Sequence, residues 1–267
     1  MRFALPALLV LPLAGCGAKD EMPKVQAVEV VKAFAHDSQA FTEGLFFQDG
    51  TLFESTGEEG TSGFRKVNLE TGEVTQEVQL PSQYFGEGIV GWKDKIYQLT
   101  WKDQKGFIYN AKDFTPAGEF AYKGEGWGLT HNGKSVIMSD GTATLRFMDP
   151  DTMAQQSTVS VTANGCPVKQ LNELEWIDGE IWANIWQTDL IARIDPGSGK
   201  VKGFVDVTAL GPATTDTDEV ANGIAYDAGT KRIFVTGKMW PQLYQVKVGE
   251  APPAGSASDA AATLMRC

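Results

Sequence analysis

Short runs in which apolar and polar residues alternate follow one another from residue 24 to residue 248. They are rich in Val, Ile, Phe, Tyr, Trp and Thr. Turn-forming clusters such as Gln48-Asp49-Gly50, Asn132-Gly133 and Asp195-Pro196-Gly197 cut them apart, as expected of strands joined by tight turns. No stretch of this body sustains an apolar period of 3.6, so the pattern predicts an all-β fold. The runs also repeat. First strands open at Glu43, Glu87, Trp127, Asn172 and Asn222, at intervals of 44, 40, 45 and 50 residues. A second strand follows each, as in Leu52-Phe53-Glu54 and Ile181-Trp182-Ala183, then a third and a fourth, as in Arg65-Lys66-Val67 and Glu77-Val78-Gln79. Four strands per period of about 40–50 residues is the signature of a propeller blade. The fifth unit lacks a fourth strand, and the run at 25–34 supplies one from the other end of the chain, removing an exposed edge. The expectation is one domain over 24–248, a five-bladed β-propeller whose last blade is closed by the N-terminal strand.

In such a ring the residue opening each first strand sits near one mouth of the central channel. That column reads Glu43, Glu87, Trp127, Asn172, Asn222, and a second column just past the second strands reads Gly57, Trp101, Gly141, Trp186, Lys238. Structural columns of a repeat tend towards sameness, as the Leu/Ile column next to the first one does. These two instead mix acids, amides, indoles and an ammonium. A glutamate there can simply close the channel with its hydrogen bonds satisfied, and most of the seven Trp fill core, Trp176 and Trp182 among them. Trp101, Trp127 and Trp186 around one mouth with Glu43, Glu87, Asn172, Asn222 and Lys238 describe an apolar-walled pocket with a few convergent polar groups. Indole walls and a second nearby carboxylate would disfavour ionisation of either glutamate, the condition for proton transfer near neutral pH.

Composition narrows the function. The 267 residues carry a net charge of −11, which speaks against nucleic acid as a partner. Two histidines, His36 and His131, and three cysteines leave little for a His/Cys metal centre, so neither a metal nor another cofactor is expected. Residues 1–15 read as an export signal, with Leu13-Ala14-Gly15-Cys16 resembling the lipobox of bacterial lipoproteins. This implies cleavage and lipidation at Cys16, a tether over 16–23, membrane attachment only through the lipid, and a place on the periplasmic side of the outer membrane. The Pro/Ala/Ser-rich tail 249–267 reads as disordered. In an oxidising compartment Cys166 and Cys267 could pair. A monomer is the default oligomeric state.

The segments FTEGLFF, TLFESTG, YFGEG, IYQLTW, GWGL, LNELEW, IWANIWQTDLIARID and NGIAYD…KRIFVTGKMWPQLY run in order from about 41 to 246. They resemble the plant and bacterial type of glutaminyl-peptide cyclotransferase. The resemblance implies a metal-free five-bladed propeller that cyclises N-terminal glutaminyl residues of peptides and proteins to pyroglutamyl, releasing ammonia. It implies Glu87 as the catalytic acid/base, with Trp101, Trp127, Asn172, Trp186 and Lys238 binding substrate. Glu43 stands where the family commonly has glutamine, which leaves its substrate contact and the pH optimum open. Two alternatives remain: a glycoside hydrolase using Glu43 and Glu87, and a periplasmic propeller that binds peptides without turning them over.

Overall fold

The computed structural model describes residues 22–213 and 216–267. Strand β1 (Lys24–Ala35) is followed by four antiparallel strands, β2 (Thr42–Gln48), β3 (Thr51–Thr56), β4 (Gly63–Val67) and β5 (Val74–Gln79). A second sheet repeats the order with β6 (Gly86–Trp92), β7 (Lys95–Thr100), β8 (Lys105–Asn110) and β9 (Pro116–Ala121). A third does so with β10 (Leu129–His131), β11 (Val136–Met138), β12 (Thr144–Met148) and β13 (Gln155–Ser160). A small hairpin, β14 (Thr162–Ala163) with β15 (Cys166–Pro167), leads to β16 (Leu171–Ile177), β17 (Glu180–Ile185), β18 (Leu190–Ile194) and β19 (Val201–Asp206). The last strands are β20 (Ala221–Asp227), β21 (Arg232–Gly237) and β22 (Gln242–Val248). The fold is all-β and propeller-like, with one short helix.

Local chemistry sets these elements. The two-residue connections Asp49-Gly50 and Asp178-Gly179 have positive φ at both positions, the hairpin turn whose twist matches its strands. Between third and fourth strands an Asn or Asp closes the loop by accepting two backbone N–H groups: Asn68 from Glu70 and Thr71, Asp149 from Asp151 and Thr152, Asp195 from Gly197 and Ser198. Burial falls outwards across each of the first three sheets. The first strands β2 and β6 are buried on both faces, and the fourth strands β5, β9 and β13 are largely exposed and polar. Apolar clusters fill the space between neighbouring sheets. Phe46, Phe53 and Phe64 meet Ile89, Ile96 and Phe107, and Ile137 and Leu145 meet Leu171 and Ile181. Leu45 and Leu52 meet Ala225 and Phe234, packing the first unit on the last.

Strand β1 does more than the sequence suggests. From Val28 to Ala35 it pairs antiparallel with β22, as the missing fourth strand should. Its first residues, Lys24 to Ala27, pair in parallel with Gly203 to Asp206 of β19. It therefore joins two four-stranded groups into one eight-stranded sheet. The parallel pairing left no trace in the alternation, because both partners present ordinary strand patterns.

The disordered tail is a correction. Helix α1 (Gly255–Leu264) buries Ala257 and Ala261 against the cluster around Val161, Val168 and Ile181. The Ala254 N–H donates to the Asp206 carboxylate at 2.6 Å, and Cys166 and Cys267 form a disulfide. An Ala-rich segment resembles low complexity, but alanine is the strongest helix former, and here two alanines four residues apart supply a packing face. The expected signal, Cys16 and most of the 16–23 tether lie outside the described residues.

The first strands approach so closely that side chains are excluded beside the axis. A Cβ on Gly44 would lie 2.7 Å from the Ile89 nitrogen, on Gly88 2.6 Å from the Trp127 carbonyl, and on Gly128 2.2 Å from the Asn172 carbonyl. Only the fourth unit carries a side chain at this position. Glu173 accepts the N–H groups of Leu45 at 3.2 Å and Ile224 at 2.9 Å. Two residues on, Glu175 accepts the Tyr226 N–H at 2.8 Å and the Thr130 hydroxyl at 3.2 Å. Burial, and for Glu173 also the Glu175 charge, raises both carboxyls; Glu175 is pushed up to about 8. Glu54 moves the other way. Burial opposes its charge, but His36 at 2.7 Å, Arg65 at 2.9 Å and Thr42 at 2.8 Å outweigh burial and hold it at about 2.

Two expectations follow for stability. The pair of cysteines is 101 residues apart, so Cys267→Ser should cost about 2–4 kcal/mol in urea unfolding. An unchanged midpoint would show that the disulfide does not constrain the fold. Raised carboxyls stabilise fully below the unfolded value of ~4.3 and lose that contribution as pH rises through their folded values. Glu54, being lowered, stabilises above ~4.3 and fails only as pH falls towards 2. Stability should therefore decline from pH 5 to pH 8. Glu175→Gln should flatten the decline by up to about 1.4 kcal/mol per pH unit, measured by urea unfolding across that range.

Candidate active site

The site is built from the same irregularity repeated around the axis. The pairing of first with second strand slips between Thr42 and Gly44, between Gly86 and Ile89, between Leu171 and Leu174, and between Ala221 and Ile224. Each bulge holds the first-column residue: Glu43, Glu87, Asn172 or Asn222. A bulge kinks the strand and re-aims its side chain, so Glu43, Glu87 and Asn172 leave the alternation and turn to the mouth, while Asn222 turns to Glu43. The backbone carbonyls of two of them are bonded to neighbouring units, and the third unit is tied in the same way. Ser55 donates to Glu87 O and Ser139 to Asn172 O, both at 2.6 Å, and the Gly88 N–H donates to Trp127 O at 2.8 Å.

The second column is held by a clasp that recurs in four units. The N–H groups of Gly57, Trp101, Trp186 and Lys238 donate to the carbonyls of Phe41, Phe85, Gln170 and Val220 at 2.8–3.0 Å. Gly57 and Gly141 are small for a reason. A Cβ on the first would sit 2.5 Å from the Phe85 ring, and on the second 2.7 Å from the Trp127 ring. Glycine in two units makes room for an aromatic wall.

Seven of the eight residues that the sequence places at the mouth line one cavity of about 310 Å³: Glu43, Glu87, Trp101, Trp127, Asn172, Trp186 and Lys238; the eighth, Asn222, is fully buried and donates to Glu43 instead. Phe41 and Phe85 complete the wall, with the exposed carboxylates of Glu58 and Asp218 at its margin. Trp127 and Trp186 meet edge to face at 5.7 Å and 88°, and Phe85 packs on Trp101 at 5.6 Å. Sequence reasoning missed Phe41, Phe85 and Glu125. Each stands two residues before a first-column position, in Phe-Thr-Glu-Gly, Phe-Gly-Glu-Gly and Glu-Gly-Trp-Gly, and that offset was the available signal.

Electrostatics separate the two cavity glutamates. Both oxygens of Glu43 are engaged, one by Lys238 Nζ at 2.6 Å and the other by Asn222 Nδ2 at 3.0 Å. Lys238 Nζ also lies 4.3 Å from the Phe41 ring centroid. Burial raises Glu43, and the Lys238 ammonium is the principal force opposing that rise. Glu87 is 5% exposed, and its Oε2 is buried without a hydrogen-bond partner. Burial, then the charge of Glu43, push its carboxyl well above the ordinary range, against the pull of Lys238. Asn172 is likewise buried at the wall with an unpartnered Oδ1. Glu43 is thus held on both oxygens by a cation and an amide, whereas Glu87 keeps an oxygen without a partner and is pushed further from ionisation.

Neither histidine belongs to the cavity. His36 bonds Glu54 and the Trp240 carbonyl, and His131 stacks edge-on against Trp92 at 5.3 Å. Among the described residues no group of three or more His, Cys, Asp or Glu is arranged to hold a metal ion.

The sequence model of the glutamine cyclotransferase family matches residues 5–248. The glutaminyl-peptide cyclotransferase of Arabidopsis thaliana is 42% identical over 234 residues, covering 85% of this chain and 73% of that protein. The crystal structure of Myxococcus xanthus glutaminyl cyclase is similar at a TM-score of 0.81 and 35% identity, covering 86% of this chain and 100% of the other. Sequence and backbone agree over the whole strand-built body, and the chain belongs to the glutamine cyclotransferase family of acyltransferases.

Proposed function

We propose that this protein converts N-terminal glutaminyl residues of peptides and proteins to pyroglutamyl residues, with Glu87 moving the proton. The observation that carries the proposal is the unpartnered, buried Glu87 carboxyl in an indole-walled cavity. The substrate's neutral α-amine attacks its own side-chain carboxamide carbon, forming a C–N bond and a tetrahedral centre. Glu87 as carboxylate takes the proton from the attacking nitrogen. It returns that proton to the departing nitrogen, the C–N bond breaks, and ammonia leaves with the lactam formed. Because the attack is intramolecular, the walls of Trp101, Trp127 and Trp186 need only hold the chain folded on itself. Asn172 and the Lys238 ammonium supply donors for the carboxamide oxygen as charge grows there. Glu43 fixes Lys238 and adds the negative charge that keeps Glu87 basic. No step is assigned to a metal ion. Glu43, with one oxygen ion-paired to Lys238 and the other held by Asn222, is engaged as a fixed partner rather than a free nucleophile or base, which favours cyclisation over paired-carboxylate glycoside cleavage.

The repeated bulges, the clasp and the packing of the first unit on the last support a five-bladed propeller with β1 as the outer strand of its final blade. Acylation at Cys16 would tether a monomer on the periplasmic side of the outer membrane, a compartment in which the Cys166–Cys267 bond would persist. Among the described residues no helix is long and apolar enough to cross a membrane.

Ammonia release from a Gln-initiated dipeptide tests the proposal. Glu87→Gln should lower kcat by about 10²–10⁴-fold with the fold unchanged, and a chelator should leave the wild-type rate as it was. Retained activity in Glu87→Gln would remove Glu87 from this role. Glu43→Gln should move the acid limb of the kcat profile to lower pH, since it deletes a charge that raises Glu87. With Glu58 and Asp218 at the margin, Gln-Lys peptides should show a higher kcat/KM than Gln-Glu peptides, and the difference should shrink as salt screens it.

A further inference from the structure

Glu125 lies outside the cavity lining, on the turn Lys123-Gly124-Glu125-Gly126, yet it grips two of its walls. Its Oε2 accepts the indole N–H of Trp101 at 2.8 Å and that of Trp127 at 2.9 Å. The two rings come from different sheets, one just past β7 and the other just before β10. A single carboxylate oxygen is therefore a cross-link between neighbouring units at the mouth. An indole has one polar donor, so the direction of its N–H fixes which face and edge the ring presents, and a charged acceptor strengthens that hold.

The turn itself is held in place. The Gly126 N–H donates to the Trp101 carbonyl at 2.9 Å, while the Trp101 N–H donates to the Phe85 carbonyl at 3.0 Å. Gly124 has φ +79, and a Cβ on Gly126 would lie 2.7 Å from the Tyr122 hydroxyl. Trp101 is thus bound through both backbone polar groups and its ring nitrogen. From Trp127 the constraint passes to Trp186 through their edge-to-face contact. Cations stand around the turn: Lys102 lies over the Trp101 ring at 3.3 Å, and Arg146 donates to the Lys123 carbonyl at 2.6 Å.

The geometry points to Glu125 as a positioning residue for the cyclisation, one that sets the facing of the Trp101 and Trp127 walls by accepting both indole N–H groups on one oxygen. The inference rests on the function proposed above. Glu125 has a second effect, because its charge joins those of Glu43 and Lys238 in the field at Glu87, where it favours the protonated form. The two effects separate by substitution. Glutamine keeps an oxygen able to accept both N–H groups but carries no charge; alanine keeps neither.

The test uses the full chain with Glu125→Gln and Glu125→Ala, read by ammonia release from a Gln dipeptide and by the 15N–1H signals of the seven indoles. Glu125→Ala should shift the two indole signals of Trp101 and Trp127 and lower kcat/KM about 10–100-fold, the cost of misplacing a bound substrate by about 1 Å, chiefly through KM. Glu125→Gln should restore KM to near the wild-type value and move the acid limb of kcat to lower pH. Unmoved indole signals in Glu125→Ala, or a KM in Glu125→Gln as poor as in Glu125→Ala, would overturn the positioning role. A wild-type protein that releases no ammonia, with both indole signals still shifting in Glu125→Ala, would instead sink the cyclisation and leave the indole clamp standing.

Discussion

Crowding at the axis governs the molecule. The first strands come together until Gly44, Gly88 and Gly128 have no room for a Cβ, and the one side chain admitted at that level, Glu173, spends both oxygens on backbone N–H groups of other units. Hydrogen bonding between first strands replaces ordinary side-chain packing there. A residue immediately before this level cannot point inwards along the axis and cannot stay in the alternation. The strand bulges, and Glu43, Glu87 and Asn172 turn to the mouth while Asn222 turns to Glu43. The site is therefore a by-product of close approach: the same geometry that demands glycine at one position presents a functional side chain at the position before it.

That logic explains how much could be read from the chain. The four-strand period and the two variable columns were visible because each unit repeats its spacing, and a diverse column against a uniform Leu/Ile neighbour marks positions freed from packing. Seven of the eight side chains so chosen meet in one cavity, and the eighth, Asn222, holds Glu43 from behind its wall. What escaped was set by contacts between units rather than by repetition. Glu125 looks like any turn glutamate until two indoles from separate sheets converge on it. The parallel pairing of Lys24–Ala27 with β19 has no periodic signature, since it adds a partner to residues that already alternate. Helix α1 was hidden by its composition, in which the same alanines that suggest a loose tail also make a smooth helical face once a surface and a disulfide are available.

Within the cavity, two chemically identical groups behave differently because of their partners alone. Glu43 is buried more fully than Glu87, so burial by itself would leave it the more reluctant to ionise. The ammonium of Lys238 and the amide of Asn222 reverse that order. Glu87, with no donor reaching Oε2, bears the full cost of desolvation and the repulsion of its neighbour. One carboxylate is held in place by its partners, while the other is left with its carboxyl pushed up by burial and by its neighbour's charge.

The ion pair between Lys238 and Glu43 spans 195 residues, and β1 finds its antiparallel partner only in β22. Neither can form on a nascent or clipped chain. The pocket thus comes into being last, when the two extremities of the polypeptide have met, and contacts this distant in sequence imply slow folding. A complete cavity therefore certifies that both ends of the strand-built body have been brought together.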